Sequence, residues 1–216
     1  MFLSRVRIDE WKTPSSLWTA DRTKGTYQDP RLIYNLSMSQ FRMGDLRAST
    51  EGLLQLLKFP VVDNQTVLML AQNYLLIGDL DKAYEFLLDF NKSDTHMEHI
   101  YFGLLGEYHQ QKGDLATAEA EYKKSLVNKP YMPTYLHLAR MYFKSGREEE
   151  GEKTLLDALE YDPDDQPALS LLLSHYLDAE RYDQAYPIYI RLTRLYPDSP
   201  LVKHLDRVLN KSFIPS

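Results

Sequence analysis

The chain has 216 residues, 44% apolar and 26% charged, enough for one large domain or two small ones whose core needs no covalent staples. Its 25 basic and 31 acidic side chains leave a formal charge of −6, which argues against a nucleic-acid partner because a phosphate-binding patch would work against the overall field. Cysteine is absent, excluding disulfides and thiolate metal sites. No apolar run is long enough to cross a bilayer, so no membrane span is expected.

The first stretch, "MFLSRVRIDEW", lacks the apolar segment and small-residue cleavage site of a secretory signal. Compartment therefore stays open between cytoplasm and, if an upstream signal or anchor has been removed, periplasm. The following "WKTPSSLWTADRTKGTYQDP" mixes Pro, Ser, Thr and Gly with Trp11 and Trp18. Residues 1–29 read either as a degenerate helical half-unit capping the rest of the chain or as an arm.

From residue 30 the pattern becomes periodic. Gly44, Gly78, Gly113 and Gly146 each end an apolar helical pattern, at separations of about 34 residues, and the first three open the tripeptide "GDL". Pro130, Pro163 and Pro197 recur with the same period, each after a second helical pattern. The unit is helix, tight turn, helix, then a proline or acidic turn. Aligned on the glycines there are five, at 30–63, 64–98, 99–131, 132–165 and 166–199. The last stretch, 200–216, holds "PLVKHLDRVLNKSF", with Leu201, Val202, Leu205, Val208 and Leu209 on one helical face and charged residues opposite. Asp29-Pro30 and Ser199-Pro200 each place a capping side chain before a proline at a helix start.

This array resembles the tetratricopeptide repeats, which share its period. The fourth unit carries the resemblance most fully: Tyr135, Leu138, Ala139, Tyr142, Gly146, Gly151, Leu155, Ala158 and Pro163 occupy the nine signature offsets. The fifth keeps Leu169, Leu172, Tyr176, Ala185, Tyr189, Leu192 and Pro197 but has Glu180 at the turn glycine, and the first has Ser49 where alanine is usual. The resemblance implies an all-α fold, a right-handed α-solenoid of five helix-turn-helix units with a C-terminal capping helix. Small residues at Ala71, Gly106 and Ala139, and at Ala83, Ala118, Gly151 and Ala185, are then expected where helix axes approach closely.

Nothing points to catalysis. There is no glycine-rich phosphate loop, nucleophile elbow or histidine-rich metal motif, so no enzyme activity and no cofactor are expected. The acidic "YDPDDQP" at 161–167 suggests calcium, but counting from Asp162 the sixth position is Pro167 and the twelfth Leu173, where a calcium loop needs glycine and glutamate. It reads as a junction between repeats, with its aspartates capping the next helix. "HMEH" sets His96 and His99 three apart, too few ligands for zinc and better read as turn residues. "REEEGEK" at 147–153 reads as a solvated helix start.

In the family resembled, first helices line the concave side and bind partner peptides at fixed offsets. Carried onto this chain, those offsets give Tyr34, Asn35, Met38, Phe41, Leu68, Met69, Gln72, Leu75 and Leu76 in the first two units. The third gives Leu104, Glu107, Gln110 and Gln111, and the fourth His137, Arg140, Phe143 and Lys144. The groove so defined is apolar in its first half and basic in the fourth unit, and about a third of its apolar positions are expected to pack against the next helix. Lysine and asparagine clamps for chaperone tails are missing, since those offsets hold Leu68, Gln72, Leu104 and Pro133. The expected function is a non-enzymatic adaptor capturing a protein or peptide segment. The alternative is a self-assembling protein, a homo-oligomer whose N-terminal arm fills its own or a neighbour's groove.

Overall fold

The computed structural model describes residues 29–59, 63–93 and 95–212. The reading of residues 1–29 as half-unit or arm falls almost wholly outside them, as do Trp11 and Trp18. Among the described residues there are eleven α-helices and no strand. Five pairs run α1 (Pro30–Arg42) with α2 (Leu46–Leu56), α3 (Asn64–Ile77) with α4 (Leu80–Leu88), α5 (Glu98–Gln111) with α6 (Leu115–Asn128), α7 (Met132–Lys144) with α8 (Glu148–Tyr161), and α9 (Gln166–Asp178) with α10 (Tyr182–Leu195). An eleventh helix, α11 (Pro200–Ser212), follows, and a short 3-10 turn, Thr95–Met97, precedes α5. The expected all-α solenoid is the architecture found.

The "GDL" tripeptide makes the turn inside each of the first three pairs. Gly44, Gly78, Gly113 and Gly146 have φ of 80°, 86°, 83° and 71°, the left-handed conformation that ends a helix at least cost when no Cβ is present. The N–H of the next residue then donates back to the first helix, as from Asp79 to Tyr74 O at 3.0 Å. The aspartate that follows turns its side chain forward and caps the second helix: Asp45 accepts from Ala48 N at 3.0 Å, Asp79 from Lys82 N at 3.2 Å and Asp114 from Thr117 N at 3.1 Å. One dipeptide thus ends one helix and begins another.

The last two pairs replace that aspartate by Arg147 and Arg181, neither of which caps its helix through the side chain. Each guanidinium instead lies over a tyrosine at the end of the first helix, 4.3 Å from the Tyr142 ring and 4.6 Å from Tyr176. Lys82 over Tyr74 and Lys112 over Tyr108 repeat the arrangement more loosely, at 5.2 and 5.9 Å. Glu180 stands where the fifth turn glycine would be and adopts φ 56° all the same.

The chain divides within α6, between Glu121 and Tyr122, into two compact units. In the first, Leu53, Leu70, Ala71, Ala83 and Leu87 are at most 1% exposed and form the centre of the core, with Phe90 stacked on Tyr101 at 4.5 Å. A polar seam joins α2 to α3: Asn73 Nδ2 donates to Ser49 Oγ at 3.0 Å and Thr50 Oγ1 at 3.1 Å, all three buried. Asn64 clasps the loop after α4 with two bonds, accepting from Asn91 N at 2.9 Å and donating to Asn91 O at 3.0 Å. In the second unit the core runs from Ala139 and Leu155 through Leu169, Leu172 and Leu173 to Leu192 and Val202. Gly151 is buried beneath Phe143, and a Cβ there would lie 2.4 Å from the ring.

The acidic loop serves as the predicted junction. Asp165 accepts from Ala168 N at 2.7 Å and caps α9, with Pro167 in the first turn. Asp164 binds Arg191 at 2.8 Å, and its carbonyl accepts from the Tyr196 hydroxyl at 2.5 Å, tying the loop to α10. Of "HMEH", His96 is exposed in the 3-10 turn whereas His99 is buried.

Two substitutions test these local arguments. Glu180→Gly should stabilise the protein by about 0.5–1 kcal/mol in a denaturant titration, because relief of the left-handed strain exceeds the extra entropy of the unfolded chain; no gain would mean that Glu180 is not strained. Gly151→Ala should cost about 1–3 kcal/mol, since the Phe143 ring that must yield is packed on its other face. An unchanged midpoint would show that the ring moves freely.

Candidate partner-binding surface

In the first unit, the side chains expected to line a groove separate by burial. Leu68, Met69, Leu75 and Leu104 are 3%, 8%, 2% and 6% exposed and belong to the core, so they hold the helices together and offer no contact area of their own. The physical reason is the stripe itself: α3 is apolar nearly all round, and its buried positions run without break from Thr66 to Ala71. Tyr34, Met38 and Phe41 are half-buried and lean on that core, and the Tyr34 hydroxyl donates to Met69 Sδ at 3.3 Å. Burial first and Asp63 second push the Tyr34 phenol above its ordinary pKa. What remains open to a partner is Asn35, half-buried Gln72 and Leu76, the last 51% exposed.

Gln111 on α5 reaches back to α3, its Nε2 donating to Leu75 O at 3.2 Å and to Glu107 Oε1 at 3.3 Å. Glu107 is buried, and desolvation raises its pKa. These polar groups brace the end of α3.

The starts of α1 and α3 and the end of α2 border an open cavity of about 370 Å³. Tyr34 and Asn35 of the expected set line it, joined by Arg31, Leu56, Phe59 and Gln65, which lie outside that set. Arg31 and Gln65 occupy the same second offset of their helices, a signal present in the sequence. Leu56 and Phe59 lie at the end of a second helix, where no offset rule points.

In the second unit, α7 presents the expected quartet unequally. Arg140 and Lys144 are exposed, one turn apart, and neither pairs with a described acid. His137 is half-buried against the Tyr122 ring at 6.2 Å, with its imidazole held below its ordinary pKa of 6.5 by burial and then by Arg140. Phe143 is a spacer: one face meets Gly151, and the ring stacks on His175 at 4.3 Å.

Behind Phe143 lies a cluster that the sequence did not single out. His175 Nδ1 is 3.2 Å from Glu148 Oε2, and Glu152 accepts from Arg181 at 2.6 Å and from the Tyr176 hydroxyl at 2.7 Å. Arg181 holds the Glu152 carboxyl below its ordinary range, while burial and Glu152 push the Tyr176 phenol up to about 12. These bonds join α8, α9 and the start of α10.

The tetratricopeptide repeat family matches residues 133–165, the unit with the fullest set of signature residues. Residues 133–165 form a tetratricopeptide repeat. The chain is 31% identical over 125 residues to the TPR repeat-containing protein YpiA of Bacillus subtilis strain 168, a match spanning 56% of this chain but 29% of that relative. Among solved structures, a thermophilic TPR protein of Thermus thermophilus superposes with a TM-score of 0.69 at 23% identity, covering 85% of this chain and 98% of the other. The APC/C hetero-tetramer Cut9–Hcn1 gives a TM-score of 0.66 at 15% identity, covering 93% of this chain and 39% of that one. At these identities the structural likenesses establish the fold of this repeat protein alone.

The His137 environment gives a pH dependence. With its folded pKa below 6.5, the group costs nothing where both folded and unfolded chains hold it neutral, and it destabilises the fold as pH falls through 6.5, where the unfolded chain takes up the proton first. Between about pH 7.5 and pH 5, the wild type should therefore lose more melting temperature than His137→Gln. Equal losses in the two proteins would show that His137 titrates alike in both states.

Proposed function

We propose that this protein is a non-enzymatic adaptor that holds a segment of a protein partner against the first-helix faces of its repeats, in a bacterial assembly, secretion or envelope-associated system. The observation that carries the reading is the pair Arg140 and Lys144: two exposed cations on one helix face, unpaired with any described acid, in a chain of formal charge −6. Cations left free on an acidic protein suit an acidic group on a partner and steer its approach. On the first unit, Asn35, Gln72 and Leu76 supply polar and apolar contact beside half-buried Met38 and Phe41. The fold supports the class of function, since repeat stacks of this kind serve as interaction surfaces, and the likeness to the Cut9–Hcn1 hetero-tetramer is to a protein seen with a partner chain. Relatives in Bacillus subtilis and Thermus thermophilus favour the bacterial setting.

The test is capture from a bacterial extract followed by cross-linking, comparing the wild type with Arg140→Glu/Lys144→Glu. Both positions are exposed, so the helical signal should be unchanged. Recovery of the cross-linked partner should fall about tenfold, and its dependence on salt should weaken, as expected on reversing charges at the rim of an interface. Recovery equal to wild type, with cross-links mapping away from α7, would remove this face from the function.

A further inference from the structure

On α10 one face is used by the fold and the opposite face is not. Ala185 and Leu192 turn into the core, and the Tyr189 hydroxyl donates to Asp206 of α11. Across the helix, Tyr182, Tyr186 and Ile190 are 62%, 64% and 47% exposed, spaced four apart and so aligned in one stripe. Asp183 and Arg194 flank the two ends of that stripe, both exposed and neither paired with a described residue. One repeat period earlier α8 holds Glu148, Glu152, Leu156 and Glu160 at the positions of Tyr182, Tyr186, Ile190 and Arg194, so the repeat itself does not call for an apolar outer face. Pro187 stands inside α10 beside the stripe. It has no N–H, and the carbonyl of Asp183 loses the donor that a helix supplies four residues on.

We propose that this face of α10 is an interface with a second copy of the chain, the two α10 helices packing antiparallel about a two-fold axis near Ile188. The stripe is complementary to itself in that arrangement. Tyr186 and Ile190 lie at equal distances on either side of the axis, so Tyr186 of each copy meets Ile190 of the other. Asp183 and Arg194 lie farther out on opposite sides, so each Asp183 meets the other copy's Arg194, twice per dimer. Parallel packing would instead set Asp183 against Asp183 and Arg194 against Arg194. The guanidinium has five N–H donors, enough to serve both the Asp183 carboxylate and the carbonyl that Pro187 leaves without its helical donor. The 14 residues of α10 span about 21 Å. One such helix pair buries less than the roughly 1,200–2,000 Å² of a standard interface, so the dimer is weak, with a Kd on the order of 10–100 μM.

Sedimentation of the full chain from about 1 to 500 μM should show the average mass rising from 25.3 kDa toward twice that value. Tyr186→Glu should hold the monomer mass throughout. Asp183→Arg and Arg194→Asp each set like charges against one another at both ends of the interface, and each should weaken association at least about tenfold. Combining them reverses the pair and should bring association back to within about threefold of wild type. All three positions are exposed, so circular dichroism should stay helical in every variant. The proposal fails if the wild type stays monomeric at every concentration, or if association survives Tyr186→Glu, which would put the contact elsewhere on the chain. It fails equally if the single reversals change nothing, or if the combined reversal does not restore what they remove. Arg140→Glu/Lys144→Glu should associate as the wild type does, which separates this interface from the partner face on α7.

Discussion

Close approach between helices is the constraint on which this structure rests. A pair of short helices cannot bury its own apolar faces, and neighbouring pairs can share them only if the axes come near enough for side chains to interdigitate. The residues at the crossings are accordingly small. Ala71, Ala83, Ala118 and Ala139 are fully buried, and Gly151 has a phenylalanine ring where its Cβ would be. The first pair solves the problem in a polar way: Gly52 lies so close to Ser37 that a Cβ would stand 2.2 Å from the serine oxygen. Ser37 Oγ returns its hydrogen bond to Ile33 O at 2.9 Å, so a buried hydroxyl is tolerated at the position that Ala71 holds one period later.

The turn inside each pair follows from that closeness. Helices packed this tightly leave room for only a few connecting residues, and one left-handed position followed by an N-cap is among the shortest ways to reverse direction. Where the cap is lost, as at Arg147 and Arg181, the new side chain reaches back over a tyrosine and across to a glutamate. Arg147 bonds Glu150, and Arg181 bonds Glu152. The four tyrosines that take part, Tyr74, Tyr108, Tyr142 and Tyr176, are each one repeat period apart. A cation over each covers the end of the first helix in every pair but the first.

The parts of this architecture readable from the sequence were those fixed by backbone conformation. Gly44, Gly78, Gly113 and Gly146 marked turns because only a residue without a Cβ enters the left-handed region freely, and the aspartates after them marked helix starts because few side chains reach the orphan N–H groups. "YDPDDQP" was readable as a junction for the same reason. Contacts that depend on how elements meet were not. Asn64 and Asn91 are far apart in the chain and form their two-bond clasp only because the loop after α4 returns to the start of α3. The cavity beside Tyr34 depends likewise on where the end of α2 falls, which no periodicity states.

Apolar periodicity is ambiguous on a first helix in a way that charge is not. Such a helix has one face toward its partner, one toward the neighbouring pair and one left over, and a leucine satisfies any of the three. Leu68 and Leu75 went to the interior, whereas Leu76, one residue on, is half exposed. A cation has no such choice, because burying an unpaired ammonium or guanidinium costs several kcal/mol. Arg140 and Lys144 therefore mark an outward face from the sequence alone, while Phe143 between them turns inward to fill the space above Gly151. In a repeat stack, then, an accessible surface is better sought from the charges that cannot be core than from the apolar residues that usually are.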